Sequence, residues 1–265
     1  MSLSHLALRL AVIEALAPAA QYAAAVPVWP TLARGRVLDS QIEAEPATEA
    51  EARTPLIAVY TDDSKREGYG SAPDAVFDGD ENVTLALEIL VPVLVEVEPG
   101  VQQLLPAAAT DARAEAWLNL MVQQVSETLD RARMDGVLRH VLIAVSKVES
   151  RPWTDAQTSL RLSARRIEIE CMVRAATALQ PGLTGLDRLP WPLSEVAKEL
   201  PANAYGRAIA NDLAALLSPA PADFPALDDI RLAVNLTRSD GSTEPPAADA
   251  AATPPVGDTA LKNIP

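Results

Sequence analysis

The chain has 265 residues, of which 49% are hydrophobic and 22% charged, a composition typical of a globular protein with one large or two small domains. A formal net charge of −14 argues against a protein that wraps DNA or lies on an anionic membrane, and no apolar run reaches the ~18 residues of a membrane span. The single cysteine excludes an internal disulfide, so a reducing, cytoplasmic origin is expected.

The first third of the chain predicts one helix and two strands. Apolar residues recur at helical spacing from Leu3 to Leu16, which predicts an amphipathic helix. Two segments rich in β-formers follow, Arg36–Ile42 and Pro55–Asp62, and we expect both to be strands. The segments 43–53 and 65–81 carry no apolar face, so we expect loops, and an ordered loop as long as the second is usually functional or bound to a partner.

The longest regular pattern lies between Val83 and Val97, where every second residue is aliphatic. Alternation of this kind predicts a single long strand with one buried face. The intervening positions, which include Glu88, begin and end polar and are apolar in the middle. Pro92 cannot donate a hydrogen bond to a neighbouring strand, so its position predicts a sheet edge or a bulge.

The clearest helix is predicted from Asp111 to Met134. Thr110 or Asp111 is expected to cap its N-terminus, and Gly136 is expected to end it. Its apolar stripe is expected to consist of Trp117, Met121 or Leu120, Val125, Leu129 and Ala132. The next stretch, Val137–Val148, is apolar enough for a helix or a buried strand, and the spacing of its valines favours the helix.

A second alternating segment, Arg161–Val173, predicts a half-exposed strand that pairs antiparallel with a neighbour. Its apolar side carries Cys171, which we expect to be a buried and unreactive thiol. Its polar side carries Glu168 and Glu170, so this strand presents carboxylates on the face away from the core.

The last predicted elements are a helix and a strand. Asn203–Leu217 is expected to be a helix capped by Asn203. Its expected apolar side carries Tyr205, Ile209, Leu213 and Leu216. Asp228–Leu236 alternates again and predicts the last strand, whereas residues 239–265 lack a core pattern and are expected to form a flexible tail. The sequence thus predicts one α+β domain over residues 1–238, with a mixed, mainly antiparallel sheet and helices packed on one face.

No motif for nucleotide binding or nucleophilic catalysis is present. The glycine-rich phosphate loop, the dinucleotide fingerprint and the nucleophile elbow are absent from the sequence. His5 and His140 are the only histidines, and they lie far apart with no cysteine near either, which argues against zinc. We therefore expect no catalytic residue, no cofactor and no metal site, and hence no enzyme.

Two groups of carboxylates keep a metal site open as an alternative. Five of them flank the 65–81 loop: Asp62, Asp63, Asp78, Asp80 and Glu81. Antiparallel pairing of the adjoining strands would bring both ends of this loop together, and oxygen-rich clusters bind calcium or magnesium, although solvated loop carboxylates are the commoner outcome. Glu168 and Glu170 share one strand face, as metal ligands of nucleases do, but no third acid can be placed beside them.

Four stretches together resemble a known family. They are VLDSQI (37–42), PLIAVYTDDS (55–64), the alternating segment 83–97 and AEAWLNLMVQQVSETL (114–129). A short helix, a strand with an Asp-Ser step, a strand that starts at proline and reaches Tyr-Thr, a variable loop and a long strand follow one another. In this order the chain resembles the tail terminator proteins of long-tailed bacteriophages and gene transfer particles. The resemblance covers residues 5–135, and residues 150–238 are expected to elaborate the same sheet.

The resemblance implies a structural virion protein rather than an enzyme. Members of that family form a hexameric ring that caps the head-proximal end of the tail tube, ends its polymerisation and joins the tail to the neck of the head. The implied partners are the major tail tube protein and a stopper or connector protein of the neck, with DNA passing through the lumen without specific binding, and no membrane. The implied location is the tail neck of the virion, after synthesis in the cytoplasm of a bacterial host. The acidic balance agrees, because a negatively charged lumen lets DNA slide.

Two other classes of function stay open. One is a different component of the neck, such as a stopper or connector, which would share the ring but bind a different neighbour. The other, less favoured, is a metal-dependent enzyme that uses the acidic residues described above.

Overall fold

The structure, a computed structural model, describes residues 2–41, 53–66, 80–98, 101–105, 109–154, 161–179 and 182–217. They all lie within the unit Met1–Pro219. The predicted strand Asp228–Leu236, the predicted tail 239–265 and most of the two predicted loops, 43–53 and 65–81, lie outside the described residues.

The described ranges contain seven strands and five α-helices. The strands are β1 (Val37–Asp39), β2 (Leu56–Arg66), β3 (Glu81–Leu90), β4 (Val93–Glu98), β5 (Val101–Leu105), β6 (Leu142–Thr154) and β7 (Arg161–Val173). The helices are α1 (Leu3–Leu16), α2 (Ala19–Tyr22), α3 (Ala112–Asp135), α4 (Leu193–Glu199) and α5 (Tyr205–Leu216), with short 3-10 turns at Val137–His140 and Gly185–Arg188.

Five strands form one mixed sheet in the order β1-β2-β3-β7-β6. β1 runs parallel to β2, and the other neighbouring pairs are antiparallel. β3 is the middle strand and pairs along its whole length with β7, and with β2 apart from one bulge. β4 and β5 form a separate two-stranded antiparallel sheet. The predicted α+β class with a mixed, mainly antiparallel sheet is therefore confirmed.

The prediction of one strand from Val83 to Val97 is wrong, because the chain leaves the sheet at Pro92. β3 ends at Leu90, and β4 begins at Val93 in the other sheet. Since β3 has strands on both sides, a residue without an N–H cannot continue it. The proline therefore ends the strand, and the alternation persists in the sequence because the segment after the break is also a strand. The segment between the predicted long strand and the helix that begins near Asp111 contains a further strand, β5.

The two faces of the sheet differ in what they pack against. Odd-numbered residues of the central strands point to the inner face, where α1 and α3 pack on the sheet. They include Ile57, Val59, Leu85, Leu87, Ile89, Ile167, Ile169 and Cys171. Even-numbered residues point to the outer face, where a small apolar cluster of Leu56, Leu90 and Ala164 forms a row across three strands. The helices thus cover one face, as predicted.

α1 has the predicted bounds but is buried on more than one side. Its buried residues include Leu8, Leu10, Val12 and Ile13, which spread around the helix. α1 packs against the sheet on one side and against α4 and α5 on another. A helix that is apolar nearly all round is expected to be buried, so α1 is the centre of the helical layer.

α3 confirms its predicted caps but not its whole stripe. The Asp111 carboxylate accepts a hydrogen bond from the Ala114 N–H at 2.7 Å, and the helix ends at Gly136. The buried residues are Ala114, Leu118, Met121, Val125 and Thr128. Trp117, predicted in the stripe, is partly exposed and lies under the Arg113 guanidinium instead.

Val137–Val148, where the valine spacing favours a helix, forms a 3-10 turn followed by the strand β6. The helix prediction is wrong because β6 pairs with β7 through three register shifts. Each shift interrupts the two-residue period of a regular strand. Of the three valines whose spacing favours a helix, Val137 begins the 3-10 turn, Val141 follows it and only Val145 belongs to β6, so their spacing spans two different elements.

α5 begins two residues later than predicted and buries a different side. Its N-terminal flank is Ala204, whereas the Asn203 side chain donates to the Ala19 carbonyl. The buried residues are Gly206, Ala210 and Ala214, while Tyr205 and Leu216, predicted to be inward, are exposed. Small residues face inward because α5 lies close to α1: a Cβ added at Gly206 would come within 3.2 Å of Leu10 Cβ.

Candidate interaction surfaces

The acidic residues at the 65–81 loop do not form one cluster. β2 and β3 bring the loop ends together as expected, with Arg66 opposite Glu81. The Asp62 carboxylate, however, lies on the outer face and forms an ion pair with Arg166, whereas Glu81 points to the inner face. Asp63 and Asp80 are exposed, and Asp78 lies outside the described residues.

Glu81 joins the start of β3 to the start of α1. Its Oε2 accepts a hydrogen bond from Ser2 Oγ at 2.6 Å. Its other carboxylate oxygen, Oε1, lies 2.9 Å from His5 Nε2. The other histidine, His140, lies in a separate place, with Nε2 2.8 Å from Glu199 Oε1 but not aligned for a hydrogen bond. The two histidines therefore belong to different polar contacts, and each has a carboxylate beside it.

Arg166 organises the carboxylates of the outer face. Its guanidinium contacts Glu168 Oε1 at 2.9 Å, Glu88 Oε1 at 3.0 Å and the Asp62 carboxylate. Glu88, expected on the less buried side of its strand, is only 5% exposed. Burial raises the pKa of Glu88, and the Arg166 charge partly opposes that rise. One guanidinium thus contacts carboxylates on three adjacent strands, β2, β3 and β7, and connects them across the outer face.

The neighbouring strand β6 continues the ion pairs on this face. Lys147 Nζ lies 2.5 Å from Glu149 Oε1 and 3.6 Å from Glu170 Oε1, and Glu149 also pairs with Arg151. Glu168 and Glu170, the pair considered as metal ligands, are therefore each bound to a basic side chain. Within the described ranges, no three His, Cys, Asp or Glu side chains are grouped so that they could hold a metal ion.

Cys171 lies on the inner face of β7, as predicted. Its side chain is buried among the aliphatic residues of the main core. Burial raises the pKa of this thiol to about 12, because the apolar surroundings disfavour the thiolate. The thiolate is the reactive form, so this environment makes the cysteine a poor nucleophile.

A cavity of about 500 Å³ opens beside β1, between α1 and α5, and we call it the edge cavity. Apolar residues such as Ile13 and Val37 form part of its wall, together with Tyr205. Asp39 also lines it, but its carboxylate is already bound by Arg9 Nε at 2.7 Å and by Tyr205 Oη at 3.3 Å.

Glu14 is the second carboxylate on the wall of the edge cavity. Its Oε1 accepts a hydrogen bond from the Ala19 N–H at 3.0 Å, and no described basic side chain forms an ion pair with it. Burial raises the pKa of Glu14. Sequence reasoning missed this residue, because one glutamate on an amphipathic helix looks like an ordinary solvated position.

An exposed apolar segment begins at the rim of the same cavity. Tyr22 lines the cavity, and the six residues that follow it, Ala23–Val28, are all exposed and carry no charge. Val26 and Val28 are 81% and 76% exposed. We call Tyr22–Val28 the apolar lip. A contiguous exposed apolar surface is typical of a place where another molecule binds.

The opposite end of the sheet is β6, which pairs with β7 and with no other described strand. Its last part carries Arg151, Pro152 and Trp153, all exposed, and we call these three residues the basic edge segment. The three register shifts and the proline disrupt regular ladder formation along this strand. Contacts at this edge are therefore expected to involve side chains rather than an added strand.

None of the helices in the described ranges combines the length and the apolar character needed to cross a membrane. No protein-family model matches this chain, and a search of the curated proteins finds no match either.

Proposed function

We propose that this protein is a tail terminator: a structural virion protein that forms a ring on the head-proximal end of a phage tail tube, ends tube polymerisation and joins the tail to the neck. In this proposal its partners are other copies of itself in a hexameric ring, the major tail tube protein and a stopper or connector protein. DNA passes through the ring without specific binding, and the protein resides in the neck of the virion.

The observation that carries the proposal is that two of the four resembling stretches, 37–42 and 55–64, both contact Arg9. This residue of α1 donates from Nε to Asp39 at 2.7 Å and from Nη1 to Thr61 at 3.1 Å. Asp39 belongs to the Asp-Ser step after β1, and Thr61 belongs to the Tyr-Thr pair of β2. Ser40, the other half of the step, donates its backbone N–H to Val59 at 2.9 Å. Two of the four stretches of the resemblance thus meet beside the helix α1, which precedes them in the chain.

The arrangement of the charges also favours a structural role over an enzyme. Three of the carboxylates that left a metal-dependent activity open, Asp62, Glu168 and Glu170, form ion pairs with Arg166 or Lys147 on the outer face. The net charge of −14 suits a protein that surrounds DNA without holding it. The apolar lip and the edge of β6 supply surfaces of the kind that an assembling protein requires.

The proposal is tested with phage particles made without this protein, scored by electron microscopy. Tails of abnormal length without heads are expected, because nothing ends tube growth or prepares the tube for the neck. Tails of normal length that remain apart from filled heads would instead indicate a stopper or connector. Particles of normal appearance would contradict the proposal altogether.

A replacement of the 65–81 loop tests which surface of the protein contacts the tube. Because Arg66 and Glu81 are paired across the β2–β3 hairpin, residues 67–80 can be replaced by Asn-Gly, which favours a two-residue turn. We expect this variant to fold, as judged by circular dichroism, but to release overlong tails, because the 65–81 loop is our candidate for the tube-facing surface.

The β6–β7 hairpin supplies the matched control. Thr154 and Arg161 are paired across it, so residues 155–160 can be replaced by Asn-Gly in the same way. This control is expected to give tails of normal length joined to heads. If both replacements behave alike, or if the 67–80 replacement gives normal particles, the 65–81 loop does not control length.

A further inference from the structure

Glu14 is a carboxylate that lacks a cation in the described structure. It lies half-buried on the wall of the edge cavity, where its hydrogen bond comes from the Ala19 N–H. Burial raises its pKa, and no charged neighbour opposes that rise. A guanidinium or ammonium group that entered the cavity would meet this carboxylate in surroundings partly shielded from water, where a charge-assisted hydrogen bond is strong.

A ligand of the edge cavity must also match the apolar surface at the rim of the cavity. The apolar lip exposes Val26 and Val28 beside Tyr22, which itself lines the cavity. A ligand that fits both features carries a basic group next to apolar or aromatic groups. The cavity volume of about 500 Å³ is sufficient for side chains of that size.

The basic edge segment has this chemistry. Arg151 is followed by Pro152 and Trp153, and the Arg151 side chain is 64% exposed. Arg151 has two partners, Glu149 and Glu168, and each of them keeps another cation if Arg151 leaves. Glu149 is also paired with Lys147 at 2.5 Å, and Glu168 with Arg166 at 2.9 Å. The segment belongs to β6, at the opposite end of the sheet from β1 and the edge cavity. The basic edge segment is therefore available to bind the edge cavity of a second copy.

We propose that the edge cavity of one copy receives the basic edge segment of a second copy, with Arg151 paired to Glu14 and Trp153 packed against the apolar lip. The inference rests on the proposed function and identifies the contact that builds its ring. Because the two surfaces differ and lie at opposite sheet edges, the contact is head-to-tail. A head-to-tail contact repeats from copy to copy and gives a closed ring when the rotation closes.

The test exchanges the two charges in the full-length chain. Glu14→Lys and Arg151→Glu each place like charges in the contact, so each variant alone is expected to need a protein concentration higher by about tenfold or more for association. In an equimolar mixture every contact can be complementary when the two variants alternate. The introduced lysine of one then meets the introduced glutamate of the other, and the unchanged Glu14 meets the unchanged Arg151. The mixture is therefore expected to associate as the unmodified protein does, measured by sedimentation velocity over a concentration series.

Three further variants separate the contact from folding and from general charge effects. Glu14→Gln keeps an oxygen for the Ala19 N–H, so it is expected to fold normally and still weaken association. Glu127→Lys and Arg133→Glu change exposed side chains on α3 that belong to neither surface, and they are expected to leave association unchanged. Thermal melts of all variants establish that each one is folded.

The outcomes separate this inference from the proposed function. Three results would each overturn the contact. They are rings whose formation is unaffected by the charge changes, a mixture that associates no more strongly than either variant alone, and an unmodified protein that stays monomeric at every concentration. Restored association in the mixture supports the contact even if particles lacking the protein have normal tails, a result that removes the terminator function alone.

Discussion

The carboxyl group of Glu14 shows how burial links one residue to the pH dependence of stability. Because its folded-state pKa is raised, the native protein binds this proton more tightly than the unfolded chain does. The contribution to stability is therefore most favourable below the ordinary carboxyl pKa and decreases as pH rises from that value through the raised one.

We therefore predict that Glu14→Gln melts at a higher temperature than the unmodified protein at neutral pH, because glutamine keeps the hydrogen bond to Ala19 without a charge. The difference should decrease as pH falls towards the ordinary glutamate pKa of about 4.3 and disappear below about pH 3, where the glutamate is protonated in both states. Calorimetric melts across this pH range measure it. Glu127→Gln, at an exposed site, is the control, and a pH-independent difference for Glu14→Gln would contradict the explanation.

Leu118 and Leu120 allow a paired test of which side of α3 is buried. Leu118 is 0% exposed in the main core, whereas Leu120 is 48% exposed. Leu118→Ala is expected to lower the free energy of unfolding by about 2–5 kcal/mol, because it removes buried surface and leaves a cavity. Leu120→Ala is expected to change it by less than about 0.5 kcal/mol. Urea denaturation of both variants decides the matter, and equal losses would show that the helix is rotated.

The stripe of α3 illustrates what residue patterns reveal and what they leave open. Met121, Val125 and the Asp111 cap were predictable, because apolar spacing and capping chemistry act within one helix. Whether Trp117 or Leu118 is buried was not predictable, because two adjacent positions of a helix can both lie within the angular width of an apolar face. Contacts with the sheet make that choice, and they involve residues far away in the sequence.

At the scale of elements, the cap of α3 is expected to contribute measurably to stability. Asp111→Ala removes the acceptor for the Ala114 N–H and should cost about 1 kcal/mol of unfolding free energy. Asp111→Ser offers another oxygen at the same position and should recover most of that loss. Denaturation midpoints of both variants measure the effect, and equal destabilisation would mean that the carboxylate acts through its charge alone.

The contact between α5 and α1 depends on the small size of Gly206. Gly206→Val is expected to destabilise the protein by about 1–3 kcal/mol, because even its Cβ would lie 2.9 Å from Leu200 Cδ1 and 3.2 Å from Leu10 Cβ. Ala208→Val introduces the same β-branched residue at an exposed position of the same helix. If thermal melts show equal losses for both, helix propensity rather than packing explains them.

Elements were predictable where one pattern persisted without interruption. The helix 3–16 and the strand Arg161–Val173 have the predicted bounds, because each of their patterns lies within a single element. β3 and β4 were merged because the alternation continues across Pro92, although a central strand cannot contain that residue. The start of β6 was mistaken for a helix because the spacing of Val137, Val141 and Val145 runs across the boundary between a 3-10 turn and the strand.

At the scale of the whole molecule, the edge cavity could not be predicted from the sequence. Glu14, Asp39 and Tyr205 line it together, yet they come from α1, from β1 and from the start of α5, almost two hundred positions along the chain. Local periodicity says nothing about which distant segments meet. The Asp-Ser step was noticed as part of a resemblance, and its ion pair with Arg9 became visible only with the fold.

The net charge of −14 predicts how the whole protein behaves towards nucleic acid. We expect no retardation of duplex DNA in a mobility assay at physiological salt, even at a protein concentration of about 10 µM, because few phosphates can be neutralised. Lowering the salt should not create binding, since weaker screening strengthens repulsion as well. Salt-dependent retardation at this concentration would contradict a passive lumen and favour a protein that grips DNA.

The middle position of β3 has a mechanical consequence. This strand is bonded on both sides by antiparallel neighbours, and only two residues separate its end from the β4–β5 hairpin. A force applied to the hairpin along the strand axis therefore loads two ladders in shear, so that many hydrogen bonds share the tension at once. The same force on the edge strand β6 would peel one ladder bond by bond. The hairpin is thus better placed than β6 to bear a pulling force, which is what the proposed attachment of a tail to a head would require.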